Sequence, residues 1–113
     1  MAKYDANLNL LFAALSDETR RDIVARLSRG PASVTELASH HKMALPSFMT
    51  HVAKLENAGL IETTKKGRVR NCRLTPDGMR PAQHWLDVQN QIWEERLDQF
   101  DAYALDVAKR KKT

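Results

Sequence analysis

This chain has a single cysteine, Cys72, so no internal disulfide can staple it. That fits a reducing compartment better than a small secreted framework. No apolar run approaches the roughly 20 residues that cross a bilayer. The opening Met1-Ala2-Lys3-Tyr4-Asp5 carries an acid and no apolar stretch behind it, so it does not read as a signal peptide, and a cytoplasmic protein is expected. There is no Gly-rich phosphate loop, no nucleophile motif, no carboxylate pair with supporting residues and no internal repeat. An enzyme is therefore not expected, nor a cofactor. What remains is a chain of 113 residues, 42% hydrophobic, with material for one modest core and so for one domain over residues 1–108.

The net charge of +4 is unevenly placed. Residues 1–41 balance five cations against five acids. Residues 42–76 carry seven cations against Glu56 and Glu62, a net of +5, and residues 77–108 carry Arg80 and Arg96 against seven acids, a net of −5. Lys109-Arg110-Lys111-Lys112 then form a basic tail, expected to be disordered over 109–113. The cationic excess of the body thus lies in its middle third, where a phosphate backbone would be met.

Helical spacing of Leu8, Leu11, Phe12 and Leu15 predicts a first helix. Ser16 or Asp17 can cap a second, which buries Ile23, Val24 and Leu27 and ends at Gly30-Pro31. Ser33-Val34-Thr35-Glu36 is a capping box, so a short third helix starts there. A fourth begins near Leu45-Pro46, with Phe48, Val52 and Leu55 on one face, Ser47, Thr50 and Lys54 toward the other, and His51 at the margin. Asn57-Ala58-Gly59 stops it. Leu60–Thr64 and Val69–Leu74 read as a β-hairpin around Lys65-Lys66-Gly67-Arg68. A long helix follows from Pro81 to about Val107, carrying Trp85, Val88, Ile92, Trp93, Leu97, Phe100 and Tyr103.

Helix, turn and helix followed by a cationic hairpin is how a winged helix-turn-helix grips double-stranded DNA. The outer face of the fourth helix is small, polar and free of acid before Glu56, which suits approach to base edges. The bland alternatives are a solvated helix face and a solubilising β-ribbon. Five cations within Lys65–Arg73 exceed what solubility requires. A winged-helix module that binds protein instead of DNA stays open as the alternative function.

The arrangement resembles the ArsR-type family of small bacterial winged-helix repressors. The matching residues are Phe12-Ala13-Ala14-Leu15-Ser16-Asp17-Glu18-Thr19-Arg20-Arg21, Val34-Thr35-Glu36-Leu37-Ala38, the run from Ser47 to Ile61, and Gly67-Arg68 before Arg73-Leu74. The resemblance covers roughly residues 8–100. It implies a mainly α fold with a two-stranded wing, dimerising through its first and last helices. It further implies a pseudo-palindromic operator held by a homodimer. Ser47, Thr50 and His51 would lie in or beside the major groove with Lys54 on the same helix, and Lys65, Lys66, Arg68 and Arg70 would follow the backbone or the minor groove. Ala44, Lys42 and Asn71-Cys72 depart from the family pattern at a cap, a turn and the wing strands.

Metal-sensing members carry cysteines on the third helix, where Val34–Ala38 has none. Their last-helix ligand positions fall near Asp77, Met79, Asn90 and Trp93, so no metal site is expected. His40-His41 reads as a solvated helix end. Cys72 reads as a half-buried strand residue rather than a redox switch. Leu8, Leu11, Trp85, Ile92, Trp93 and Phe100 are expected at a dimer seam. The inducing signal, or effector, is unknown at this level.

Overall fold

The computed structural model describes residues 2–111, with side-chain surroundings from 7 to 110. Its elements are α1 (Ala2–Leu15), α2 (Glu18–Leu27), β1 (Ala32–Ser33), α3 (Val34–Ala38), α4 (Leu45–Asn57), β2 (Ile61–Lys66), β3 (Val69–Leu74) and α5 (Arg80–Lys111). They fall into two units, residues 1–82 and 83–113.

The helix starts follow from their caps. Asp17 sits in extended backbone and accepts the Arg20 N–H at 3.1 Å, and Ser33 Oγ accepts the Glu36 N–H at 3.1 Å. Each satisfies one of the orphan donors of a first turn. Ala44 occupies the same position before α4 with no side chain to offer, so the start there rests on Pro46. The end of α4 is a Schellman turn: Gly59 at φ +77° donates to Glu56 O at 3.0 Å, and Leu60 N–H donates to Leu55 O at 3.0 Å. Leu55 and Leu60, the pair that accompanies this turn, are both buried. A second glycine is demanded by space. A Cβ on Gly78 would stand 2.6 Å from the Gly59 carbonyl oxygen, so the chain leaving the wing lies directly on the end of α4.

The wing is antiparallel with Ile61 opposite Leu74, Thr63 opposite Cys72 and Lys65 opposite Arg70. Those three pairs share a face, and it changes character along its length. Ile61 and Cys72 are buried, while Lys65 and Arg70 stand in solvent. On the opposite face Arg73 and Glu62 form a cross-strand ion pair at 2.6 Å. Beyond the expected two-stranded wing, β1 adds a third short strand, pairing Ala32 with Cys72, so the sheet order is β1-β3-β2. The core below it joins Leu11, Ile23, Leu27, Leu37, Phe48, Val52, Leu55, Leu60 and Ile61.

The second unit is the bulk of α5, a helix of 32 residues and so about 48 Å long. It runs to Lys111, past the end near Val107 that the apolar pattern predicted. Ala104, Ala108 and the Asp106–Arg110 pair at 3.0 Å, spaced i,i+4, carry the helix through. Lys112 and Thr113 lie outside the described residues. No described helix is long and apolar enough to cross a membrane.

Two aspartates tie this fold to pH. The Arg20 backbone N–H holds Asp17 below its ordinary value of 3.8, and Arg26, then His41, do the same for Asp22. A carboxylate lowered in the folded state contributes stability above its ordinary value, and that contribution is lost as pH falls through the lowered one. The urea midpoint is therefore expected to hold at neutral pH and to fall below about pH 4. Asp17→Asn, which caps without titrating, should flatten that fall.

Candidate nucleic-acid interface

Phe48, Val52 and Leu55 pin α4 to the core by one face. The opposite face, over its first turns, shows Leu45, Pro46, Ser47 and Thr50 to solvent, with no acid in the first turn. The Ser47 hydroxyl makes no hydrogen bond to a described residue. Thr50 Oγ1 donates back to Pro46 O at 3.1 Å, so its outward offering is a methyl group and an acceptor lone pair. Leu45, 57% exposed at the tip of the helix, belongs to this outer face, and sequence reading passed over it. Lys54 stands at the other end, where with Asn57 it faces a depression walled by α1.

His51 has a structural partner that the expectation did not include. Its side chain is 20% exposed, and its Nδ1 lies 3.0 Å from Arg20 Nη1 and 3.6 Å from Asp17 Oδ2. A guanidinium can only donate, so Nδ1 accepts and the ring proton resides on Nε2. The Asp17 contact is longer than a hydrogen bond, and the Arg20 contact defines the geometry. Arg20 itself is 8% exposed. Its Nε donates to Ala14 O at 2.8 Å and its Nη2 to Ala13 O at 3.1 Å, while Arg21 reaches Leu15 O at 2.8 Å. These are carbonyls of the last turn of α1, and Ala13 O also accepts from Ser16 N–H and Oγ. His51 thus turns its Nδ1 inward to complete the surroundings of Arg20.

The hairpin turns at the glycine where it was expected to, and its loop is short. Strand pairing continues through Lys66 and Val69, leaving a loop of only Gly67 and Arg68, with Gly67 at φ +61° as a tight hairpin requires. Lys65, Lys66, Arg68 and Arg70 are exposed and form no ion pair with a described residue. Arg73 differs, since Glu62 takes its charge.

The turn between α3 and α4 is fastened from beneath. His41 Nε2 lies 2.8 Å from Asp22 Oδ2, which also accepts from Arg26 Nε at 2.8 Å, and the imidazole lies tilted on Phe48 at 5.6 Å. His41 is therefore a structural tie rather than a solvated helix end. Among the described residues no three His, Cys, Asp or Glu side chains are grouped to hold a metal ion. Cys72 is fully buried rather than half-buried, and burial first, then Glu56, pushes its thiol up, away from the reactive thiolate.

Of the residues expected at a dimer seam, Leu11 has no surface to give, because it is 0% exposed in the core of its own chain. Leu8 is half-buried, and Leu10 and Phe12 take the outward positions of α1. Within α5, Trp85, Ile92, Trp93 and Phe100 are exposed, the last two at 62% and 65%.

Truncating His51 would leave a nearly buried guanidinium short of one acceptor. His51→Ala should cost about 1–3 kcal/mol of unfolding free energy. His51→Gln, whose amide oxygen can accept in the same place, should cost less. Chemical denaturation of the three proteins checks the order.

Comparison with known proteins agrees with this geometry. A helix-turn-helix domain family matches residues 15–64. The HTH-type transcriptional regulator Rv2034 of Mycobacterium tuberculosis is 38% identical over 84 residues, 74% of this chain and 76% of that one. The transcriptional repressor SdpR of Bacillus subtilis is 29% identical over 79 residues, 70% of this chain and 88% of that one. Among solved structures, the ArsR family transcriptional regulator RHA00566 superposes with a TM-score of 0.78 at 50% identity, covering 83% of this chain and 97% of its own. With the helix, turn, helix and wing all in place, this chain belongs to the ArsR-type family of winged helix-turn-helix transcriptional regulators.

Proposed function

We propose that this regulator is a repressor that binds a pseudo-palindromic operator as a symmetric homodimer. One observation carries the reading: an acid-free, small-residue helix N-terminus stands in the same body as a hairpin tip whose four cations are unpaired among the described residues. Ser47 and the Thr50 acceptor read base edges, and the Leu45 side chain and Thr50 methyl suit thymine methyls. Lys65, Lys66, Arg68 and Arg70 neutralise phosphates and set register, and Lys54 adds a phosphate contact from the far end of α4. His51 is assigned to support of the helix. The exposed row Trp93, Leu97 and Phe100, at helical spacing on α5, pairs two copies, with Ile92 and Trp85 on its flank and Leu8 contributing from α1.

Selection of bound duplexes from a random pool should return two half-sites about one helical turn apart. Arg68→Ala should weaken binding to every selected sequence and lower the salt slope by about one. Thr50→Ala should shift base preference at one position by about 1–3 kcal/mol and leave that slope unchanged. No DNA affinity at low salt would overturn the reading in favour of a protein-binding module. Sedimentation should give a dimer at micromolar concentration, and Trp93→Lys should give a monomer.

A further inference from the structure

The depression between α1 and the C-terminal half of α4 is a second place where chemistry converges. It measures about 230 Å³, with Leu10, Ala13 and Ala14 on one side, Lys54 and Asn57 on the other, and Arg20 at its base. Three features set it apart from an ordinary surface dent.

The first is the charge of Arg20. At 8% exposure its guanidinium meets two carbonyl oxygens and an imidazole nitrogen, but no carboxylate within ion-pair distance among the described residues. Asp17 accepts the backbone N–H of Arg20 instead. Its counter-charge is the Asp17 carboxylate, which acts on it electrostatically from beyond ion-pair distance, so the guanidinium is answered only from a distance. The second is Lys54, which also forms no ion pair with a described residue and overhangs the same space. The third is the wall. Leu10, Ala13 and Ala14 offer hydrocarbon, and the Asn57 amide offers donors beside Lys54. Apolar walls around two cations that no carboxylate touches among the described residues favour a ligand that brings its own anionic group.

We propose that this groove binds a small organic carboxylate with an apolar body. Its carboxylate lies toward the Lys54 ammonium, the Asn57 amide and the remaining N–H groups of Arg20, as charge-assisted hydrogen bonds. Its hydrocarbon lies along Leu10 and Ala13. The volume falls below the roughly 300 Å³ at which drug-sized sites begin, so the ligand is the size of a short fatty or aromatic acid. One consequence rests on the DNA reading above. Lys54 cannot serve a ligand carboxylate and a DNA phosphate together, so the acid weakens DNA binding, and DNA weakens acid binding equally.

The test titrates the full chain, without DNA, with hexanoate and benzoate, using hexanamide and benzamide as neutral controls. Saturable binding of at least one acid is expected, tighter than its amide by about tenfold or more. Lys54→Met and Asn57→Asp change exposed side chains, so the urea midpoint should hold while acid binding falls by about tenfold or more. Acids that bind no better than their amides, or binding indifferent to both substitutions, would overturn the site. A selected duplex is then titrated at saturating acid. A fall in its affinity is expected, and an unchanged affinity would overturn the antagonism. If selection returns no duplex, the DNA reading fails while acid binding is still decided by the first titration.

Discussion

Arg20 is the residue on which the arrangement of the first unit depends. One guanidinium ends α1 by taking the carbonyls of Ala13 and Ala14, sits in the first turn of α2, and reaches His51 in the middle of α4. Three helices are thereby referred to a single planar group whose donors point in fixed directions. Hydrophobic contact alone would allow these helices to slide, because apolar packing is non-directional. The hydrogen bonds supply the direction, and Asp17 fixes the backbone from which they start. Removing the guanidinium would take a donor from the Ala14 carbonyl and the His51 imidazole together, while Ala13 O would keep Ser16, so its effect would exceed that of removing any one partner.

A second tie works at the helix-turn-helix corner. Asp22 holds both Arg26 and His41, and His41 rests on Phe48, which is 0% exposed. This chain has lysine and alanine at positions 42 and 44, where its family usually has a turn glycine and a capping hydroxyl. The corner is nevertheless held, by an imidazole supported from α2 rather than by local turn chemistry. The exposed N-terminal half of α4 is in this way fixed from behind at two points, His41 before it and His51 within it, while its front carries only small or exposed side chains.

Local signals were legible in the sequence. Asp17 and Ser33 start their helices through hydrogen bonds three residues long, and Gly59 ends α4 through two more, so a short window contains the whole cause. The wing strands follow from alternation and the glycine at their tip. What stayed illegible needed a partner from afar. β1 has only two residues, too few for a pattern, and exists because β3 pairs with it. His51 lies at the margin of a helical wheel, which cannot say that a guanidinium 31 positions earlier lies opposite its ring. Leu11 was assigned to a seam because periodicity marks an apolar face without saying whether its own chain or a second copy covers it. The same blindness hid the groove beneath Lys54, since its walls come from three separate helices.

Cys72 stands where all three strands meet, opposite Ala32 on one side and Thr63 on the other. It is the only thiol in the chain, and it is 1% exposed. No folded copy can therefore be cross-linked, oxidised or labelled at sulfur while the sheet is closed. The thiol becomes available only through an opening that lifts β3 from the helices α2 and α3 packed against it. Its rate of modification by an excess of reagent is then the rate of that opening, and the chain carries its own clock for how often the wing leaves the body.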